Sequence, residues 1–129
     1  MAELVFATEM RGHLAPVADK DSTFIFQASG RGPNGEAVAT RSEVVMSGEG
    51  FKETGSIEFG GRGKVNFETV GLGHIEPSPM LDIQCGAVIW RITGGEGEFQ
   101  GARGYITSNF TASASGEAVD NNYLRIFTP

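Results

Sequence analysis

IQCGAVIWRIT, residues Ile83–Thr93, followed by Gly94-Gly95-Glu96-Gly97 and then RGYITSNFTASA, residues Arg103–Ala114, is the stretch whose reading decides the fold. Its β-branched and aromatic residues favour the pleated conformation, and the glycine cluster marks a boundary too early for a helix. Trp90 has the opposite parity to Ile89 and Arg91, so one of those two sets points into an interior. In the second segment Tyr105, Thr107 and Asn109 share one face. The unit is strand, glycine-rich connection, strand.

The same period-2 pattern extends in both directions. Downstream, Ser115-Gly116 turns the chain into Val119–Thr128, where Tyr123, Arg125 and Phe127 lie on one side. Upstream lie Lys64–Val70, Phe51–Phe59, Glu36–Ser47, Ser22–Gly30 and Glu3–Arg11. Pro33-Asn34-Gly35 is a turn signal, since proline presets φ and Asn-Gly tolerates positive φ. Pro16–Asp21 reads as irregular, and so does Gly71–Pro79, whose two prolines interrupt a ladder. The eight predicted strands, with short connections and no helical periodicity, point to an antiparallel barrel or sandwich. An eight-stranded up-and-down barrel leaves no edge exposed, and its interior is either packed or holds one small ligand.

With 129 residues the chain is the size of one domain, and no linker divides residues 1–129. Nineteen glycines, against an average usage of about 7%, are scattered among the alternations as turns and bulges. The net charge of −6, with no clustered Lys or Arg, argues against a nucleic-acid partner. No apolar run reaches the roughly 20 residues of a membrane span, and no amphipathic basic helix suggests a membrane surface. Met1-Ala2-Glu3-Leu4 lacks a basic leader and Cys85 stands alone, so a cytoplasmic location is expected. There is no metal motif and no cofactor fingerprint; Gly63-Lys64 lacks the rest of a P-loop.

Gly73-His74-Ile75, Pro79-Met80-Leu81 and the run from Ile92-Thr93-Gly94-Gly95-Glu96-Gly97-Glu98-Phe99-Gln100-Gly101-Ala102-Arg103-Gly104 to Tyr105 resemble the signature of allene oxide cyclases. Ala102-Arg103-Gly104-Tyr105 is also similar to the corresponding segment of dirigent proteins. The similarity covers about Val65–Phe110. It implies an eight-stranded calycin-type barrel, usually a trimer, with a largely apolar lumen and no cofactor. Allene oxide cyclases close a cyclopentenone ring from an unstable fatty-acid epoxide, and dirigent proteins hold phenoxy radicals or quinone methides. Both work by shape and exclusion of water. The glycines of this run permit a tight connection, and Phe99 is placed to plug a barrel end.

In allene oxide cyclases the first strand carries a glutamate, an asparagine two residues on, and then Ser-Pro. Here Glu9 matches the glutamate, Arg11 stands for the asparagine, and Ala15-Pro16 for Ser-Pro. The family's cysteine comes from an earlier strand, so Cys85 does not inherit its role. These departures argue against oxylipin cyclisation itself.

Glu9 and Arg11 share a strand face and, if that face is the lumen, form a base and an oxyanion partner; the alternative is a surface ion pair. His13 follows them, and imidazole is the side chain suited to proton transfer near neutral pH, completing the catalytic candidates. His74, in the Gly-His-Ile segment, suits a turn-stabilising hydrogen bond. Glu98 and Arg103 flank the turn, where the dirigent resemblance implies a role at the pocket mouth; a salt bridge across the turn is the alternative. Phe24, Phe26, Phe67, Cys85, Arg91, Tyr105, Asn109 and Tyr123 complete the candidate binding set. Cys85 otherwise reads as a small buried apolar residue, and the tyrosine faces as an outer surface packed on another subunit.

The function expected is a cofactor-free cyclase or isomerase of secondary metabolism, folding a small lipophilic intermediate in the lumen of a homo-oligomer, trimer before dimer. The alternative is a non-catalytic barrel that binds a hydrophobic metabolite. Phe24, Phe26, Phe67 and Phe110 filling the bore would leave a scaffold without a ligand.

Overall fold

The computed structural model describes all 129 residues, Met1–Pro129, as strands joined by turns and short loops. The strands are β1 (Ala2–Pro16), β2 (Thr23–Arg31), β3 (Ala37–Ser47), β4 (Gly50–Phe59), β5 (Gly63–Thr69), β6 (Gly73–Pro77), β7 (Ile83–Gly97), β8 (Arg103–Ser113) and β9 (Glu117–Thr128). Each pairs antiparallel with its neighbours in the order β1-β2-β3-β4-β5-β7-β8-β9. A continuous ladder from Ala2↔Thr128 to His13↔Glu117 joins β9 back to β1. The result is a closed eight-stranded barrel, in which closure satisfies backbone groups that an open sheet would leave at its edges.

The differences from the sequence reading lie at the ends of strands. β6 is an added short strand within Gly71–Pro79, read as irregular. It meets β4 only at Gly50 and Phe51, and β7 over His74–Pro77. Proline is tolerated because Pro77 closes the strand and Pro79 lies beyond it. β1 runs on to Pro16 because β2 continues to pair with it as far as Phe24. β7 runs through the glycines to Gly97, opposite Gly63. A Cβ at Gly95 would meet the Phe99 and Lys64 carbonyl oxygens at 2.4 and 2.6 Å, and Gly97 has φ 66°. Only glycine lets the backbones approach that closely there.

Alternation sorts the side chains into bore and surface. At the end where β1 begins, the bore is filled. Phe6 meets Phe59 edge-on at 5.8 Å between centroids, and Phe59 packs against Phe99 at 4.7 Å. Val38, Val65 and Ile126 are buried with them, and Arg62 lies over the outer side of Phe99. The expected plug is present. Deeper in, Phe67 stacks on Trp90 at 4.2 Å, which settles the parity of β7: Trp90 points inward, Ile89 and Arg91 outward.

Candidate functional site

The other end of the barrel is hollow. Leu14 on β1, Phe24 and Phe26 on β2, Val44 and Met46 on β3, Phe51 on β4, Ile75 on β6, Phe110 on β8 and Ala118 on β9 surround a cavity of about 270 Å³. Its walls are mainly aliphatic and aromatic. Phe51 and Phe110 meet edge-to-face at 5.8 Å, and each ring lies against a glycine of the wall, Phe51 over Gly73 and Phe110 over Gly86. Gly86 makes this possible: a Cβ there would lie 2.5 Å from the Phe110 ring and 2.1 Å from the His74 carbonyl oxygen.

Four of the lining residues are polar: Gln84 on β7, and Glu53, Ser108 and Asp120, which face the cavity from below the apolar walls. The last three belong to a belt of inward polar residues: Thr40 and Ser42 on β3, Glu53 on β4, Ser108 on β8, Asp120 and Asn122 on β9, all buried. The register explains their orientation. Glu53 lies between inward Phe51 and Ile57, and Asp120 between inward Ala118 and Leu124; turning either carboxyl to water would require a register slip exposing the whole hydrophobic face.

Both carboxyls are held by neutral donors. Ser42 Oγ donates to Glu53 Oε2, and Ser108 Oγ donates to Asp120 Oδ1. The Glu53 backbone is fixed by Thr69, whose hydroxyl accepts from the Glu53 N–H at 2.6 Å and donates to its carbonyl at 2.9 Å. The Trp90 indole sits near enough to favour the charged form of Glu53, and Asn122 does the same for Asp120. Neither Trp90 Nε1 nor the Asn122 amide makes a hydrogen bond of ordinary geometry.

Burial raises the Glu53 pKa to about 8, with the Asp120 charge adding to it and the Ser42 hydrogen bond opposing. Burial likewise raises Asp120 to about 6, against the Ser108 and Asn122 contacts. Desolvation disfavours a carboxylate, whereas hydrogen bonds to it favour one. Near neutral pH the pair therefore holds roughly one proton, mainly on Glu53. Two carboxyls with separated proton affinities at the base of an apolar chamber can serve as an acid and a base.

The sequence candidates fall into three places. Phe24 and Phe26 line the cavity as expected. Phe67 is inside but beneath the cavity, against Trp90. The rest are elsewhere. Glu9, Arg11 and His13 do share a face, but it is the exposed outer face of β1, because Phe6 and Met10 take the inward positions. Glu9 and Arg11 form a 2.7 Å surface ion pair. Glu98 and Arg103 sit at the filled end, away from the cavity mouth. Glu98 pairs with Arg62 at 3.3 Å, and Arg103 donates to the Thr93 and Ala102 carbonyls at 2.8 Å instead of bridging to Glu98.

Arg91 pairs with Glu68 on the outside, and Tyr105 and Tyr123 are 55% and 46% exposed. Cys85 and Asn109 face a shallow outer groove with His74 and Glu76; Cys85 is half-buried there, not enclosed in the core. His74 lies on strand β6, not in a turn. No group of three or more His, Cys, Asp or Glu side chains is disposed to hold a metal ion.

Sequence reasoning missed Glu53 and Asp120. The signal was present: Phe51, Glu53, Ile57 and Phe59 share one parity, as do Ala118, Asp120, Asn122, Leu124 and Ile126. An acid in an apolar register is a buried acid, and this rule would have found both.

Compared with solved structures, the chain is similar to the pterocarpan synthase dirigent protein GePTS1, at 15% sequence identity and a TM-score of 0.35, over 100% of this chain and 88% of that one. No protein-family model matches the chain, and no curated protein matches it.

Proposed function

We propose that the barrel is a cofactor-free acid–base catalyst, a cyclase or isomerase, acting on a small lipophilic metabolite held in the open end of the bore. The observation that carries this reading is the placement of Glu53 and Asp120 at the base of a mainly apolar cavity. Glu53, protonated near neutral pH, gives a proton to the substrate; Asp120, ionised there, takes one. The aromatic walls exclude water and select a folded conformer. The resemblance of Gly73–Ile75 and Ile92–Tyr105 to allene oxide cyclases supports a lumen that closes rings, while the two carboxyls supply an acid–base pair independent of Glu9.

The test is conversion of small molecules extracted from the source cells, carried out in D₂O with native, Glu53→Gln and Asp120→Asn protein. The expected result is one compound consumed by the native chain and replaced by an isomer carrying deuterium. Both variants should lose this by about 100-fold or more, the range for removing a general acid or base. A compound retained through native mass spectrometry but never converted would leave the non-catalytic binding reading in its place.

A further inference from the structure

The charge inside the cavity specifies the class of molecule it takes, an inference that rests on reading the cavity as the ligand site. None of the 14 lining residues is Lys, Arg or His. All seven ion pairs of the chain involve other side chains, so Glu53 and Asp120 have no counter-ion. Their hydrogen-bond partners Ser42 and Ser108 are neutral and engage one oxygen of each carboxyl, and Trp90 and Asn122, the other polar neighbours, are neutral too.

A buried carboxylate without a cation is unfavourable, and a cation entering with its own apolar body removes that penalty. An anion entering the same space meets repulsion from Asp120 and no compensating donor charge. A neutral alcohol gains hydrogen bonds without the charge. The aromatic rings around the opening also favour a cation, whose charge is attracted to ring faces.

We propose that the cavity takes a small lipophilic amine, protonated in water, with its ammonium group on Glu53 and Asp120 and its hydrocarbon against Phe24, Phe26, Phe51 and Phe110. The groups facing the two carboxyls are Ser42 on β3, Trp90 on β7, Ser108 on β8 and Asn122 on β9, and none of them carries charge. Only the acids themselves therefore titrate within the site. Amine affinity rises with pH from about 6 to about 8 as they ionise, whereas a neutral acceptor that needs the Glu53 proton weakens above about 8.

The experiment is calorimetric titration of the full chain with 4-phenylbutylamine, 4-phenylbutanol and 4-phenylbutanoate at pH 6.5 and 8.5. These share one skeleton and differ in head-group charge. At pH 8.5 the amine should bind about tenfold or more tightly than the alcohol, the advantage of a charge-assisted contact over a neutral one. The butanoate should give no binding heat, and the amine's advantage should shrink at pH 6.5. At pH 6.5, where Glu53 keeps its proton, Asp120→Asn should bring amine and alcohol affinities together.

An alcohol that binds as tightly as the amine, or a butanoate that binds, overturns the amine assignment while leaving the cavity as a ligand site. Binding of none of the three, or binding unchanged in Ala118→Phe, which fills the chamber, overturns the cavity reading as well.

Discussion

At the end where β1 begins, Phe6, Phe59 and Phe99 meet across the bore; at the other end, Phe24, Phe26, Phe51 and Phe110 stand around an opening. The same eight strands form both ends, so the difference comes from the connections. The Gly-rich β7–β8 connection turns Phe99 inward, and Arg62 covers its ring while approaching Glu36 and Glu98. At the open end the β6–β7 loop leaves Met80 and Leu81 66% and 89% exposed, contributing nothing that spans the chamber. One end therefore serves stability and the other holds space, a division that substitution can measure.

Phe59→Ala should give the largest effect. Phe59 is fully buried between two aromatic rings, and truncation removes their packing and opens a cavity, worth about 3–5 kcal/mol. Phe24→Ala, at a half-buried ring facing a chamber already empty, should lose about 1 kcal/mol or less. Chemical denaturation of both variants checks the pair, and equal losses would erase the proposed distinction between the ends.

Glu53→Gln should come next, with the opposite sign and a dependence on pH. In the folded chain Glu53 keeps its proton up to about pH 8, whereas the ordinary value is 4.5. Its contribution to stability is thus full below about 4.5, declines as pH rises, and is gone above about 8. Asp120 repeats the pattern between 3.8 and about 6. Each pKa unit corresponds to about 1.4 kcal/mol. Glu53→Gln removes the larger decline, so its stability relative to the native chain should rise by a few kcal/mol between pH 5 and 9. Asp120→Asn should gain less, with most of its gain complete by pH 7. Melting curves across this range decide it; a constant offset would mean that Glu53 is not a buried, proton-holding acid.

The sequence reading located the ring of strands well because alternation repeats in every one of them, and a single slip would expose a whole face. It even placed Phe99 at a barrel end from the glycines around it. It lost the ends of β1 and β7, where the ladder continues through Pro16 and Gly97 although the hydrophobic pattern has stopped. Parity groups residues without saying which group is inside. Tyr105 and Asn109 were therefore correctly placed together, but their face is the outer one. Glu9, Arg11 and His13 drew attention because three chemically capable residues sit on one face, and such a face is ordinarily wet. Glu53 and Asp120 sit on inward faces that are otherwise mostly apolar, and it is burial there that raises their pKa values.

Glu9→Gln should have the smallest effect and sharpens the contrast between inside and outside. Glu9 and Arg11 are both well exposed, so their 2.7 Å contact lies in water, where ion pairs contribute about 0–1 kcal/mol. Water and salt screen it further. Thr8 and Met10, in line with Phe6, occupy the inward positions on either side of Glu9, which puts its carboxyl on the opposite side of the barrel wall from the chamber. The variant should melt within about 2 °C of the native chain and bind 4-phenylbutylamine unchanged. A loss of binding in Glu9→Gln comparable to that in Asp120→Asn would mean that the wall of β1 does not separate the two, and the site would have to be rebuilt around the outer face.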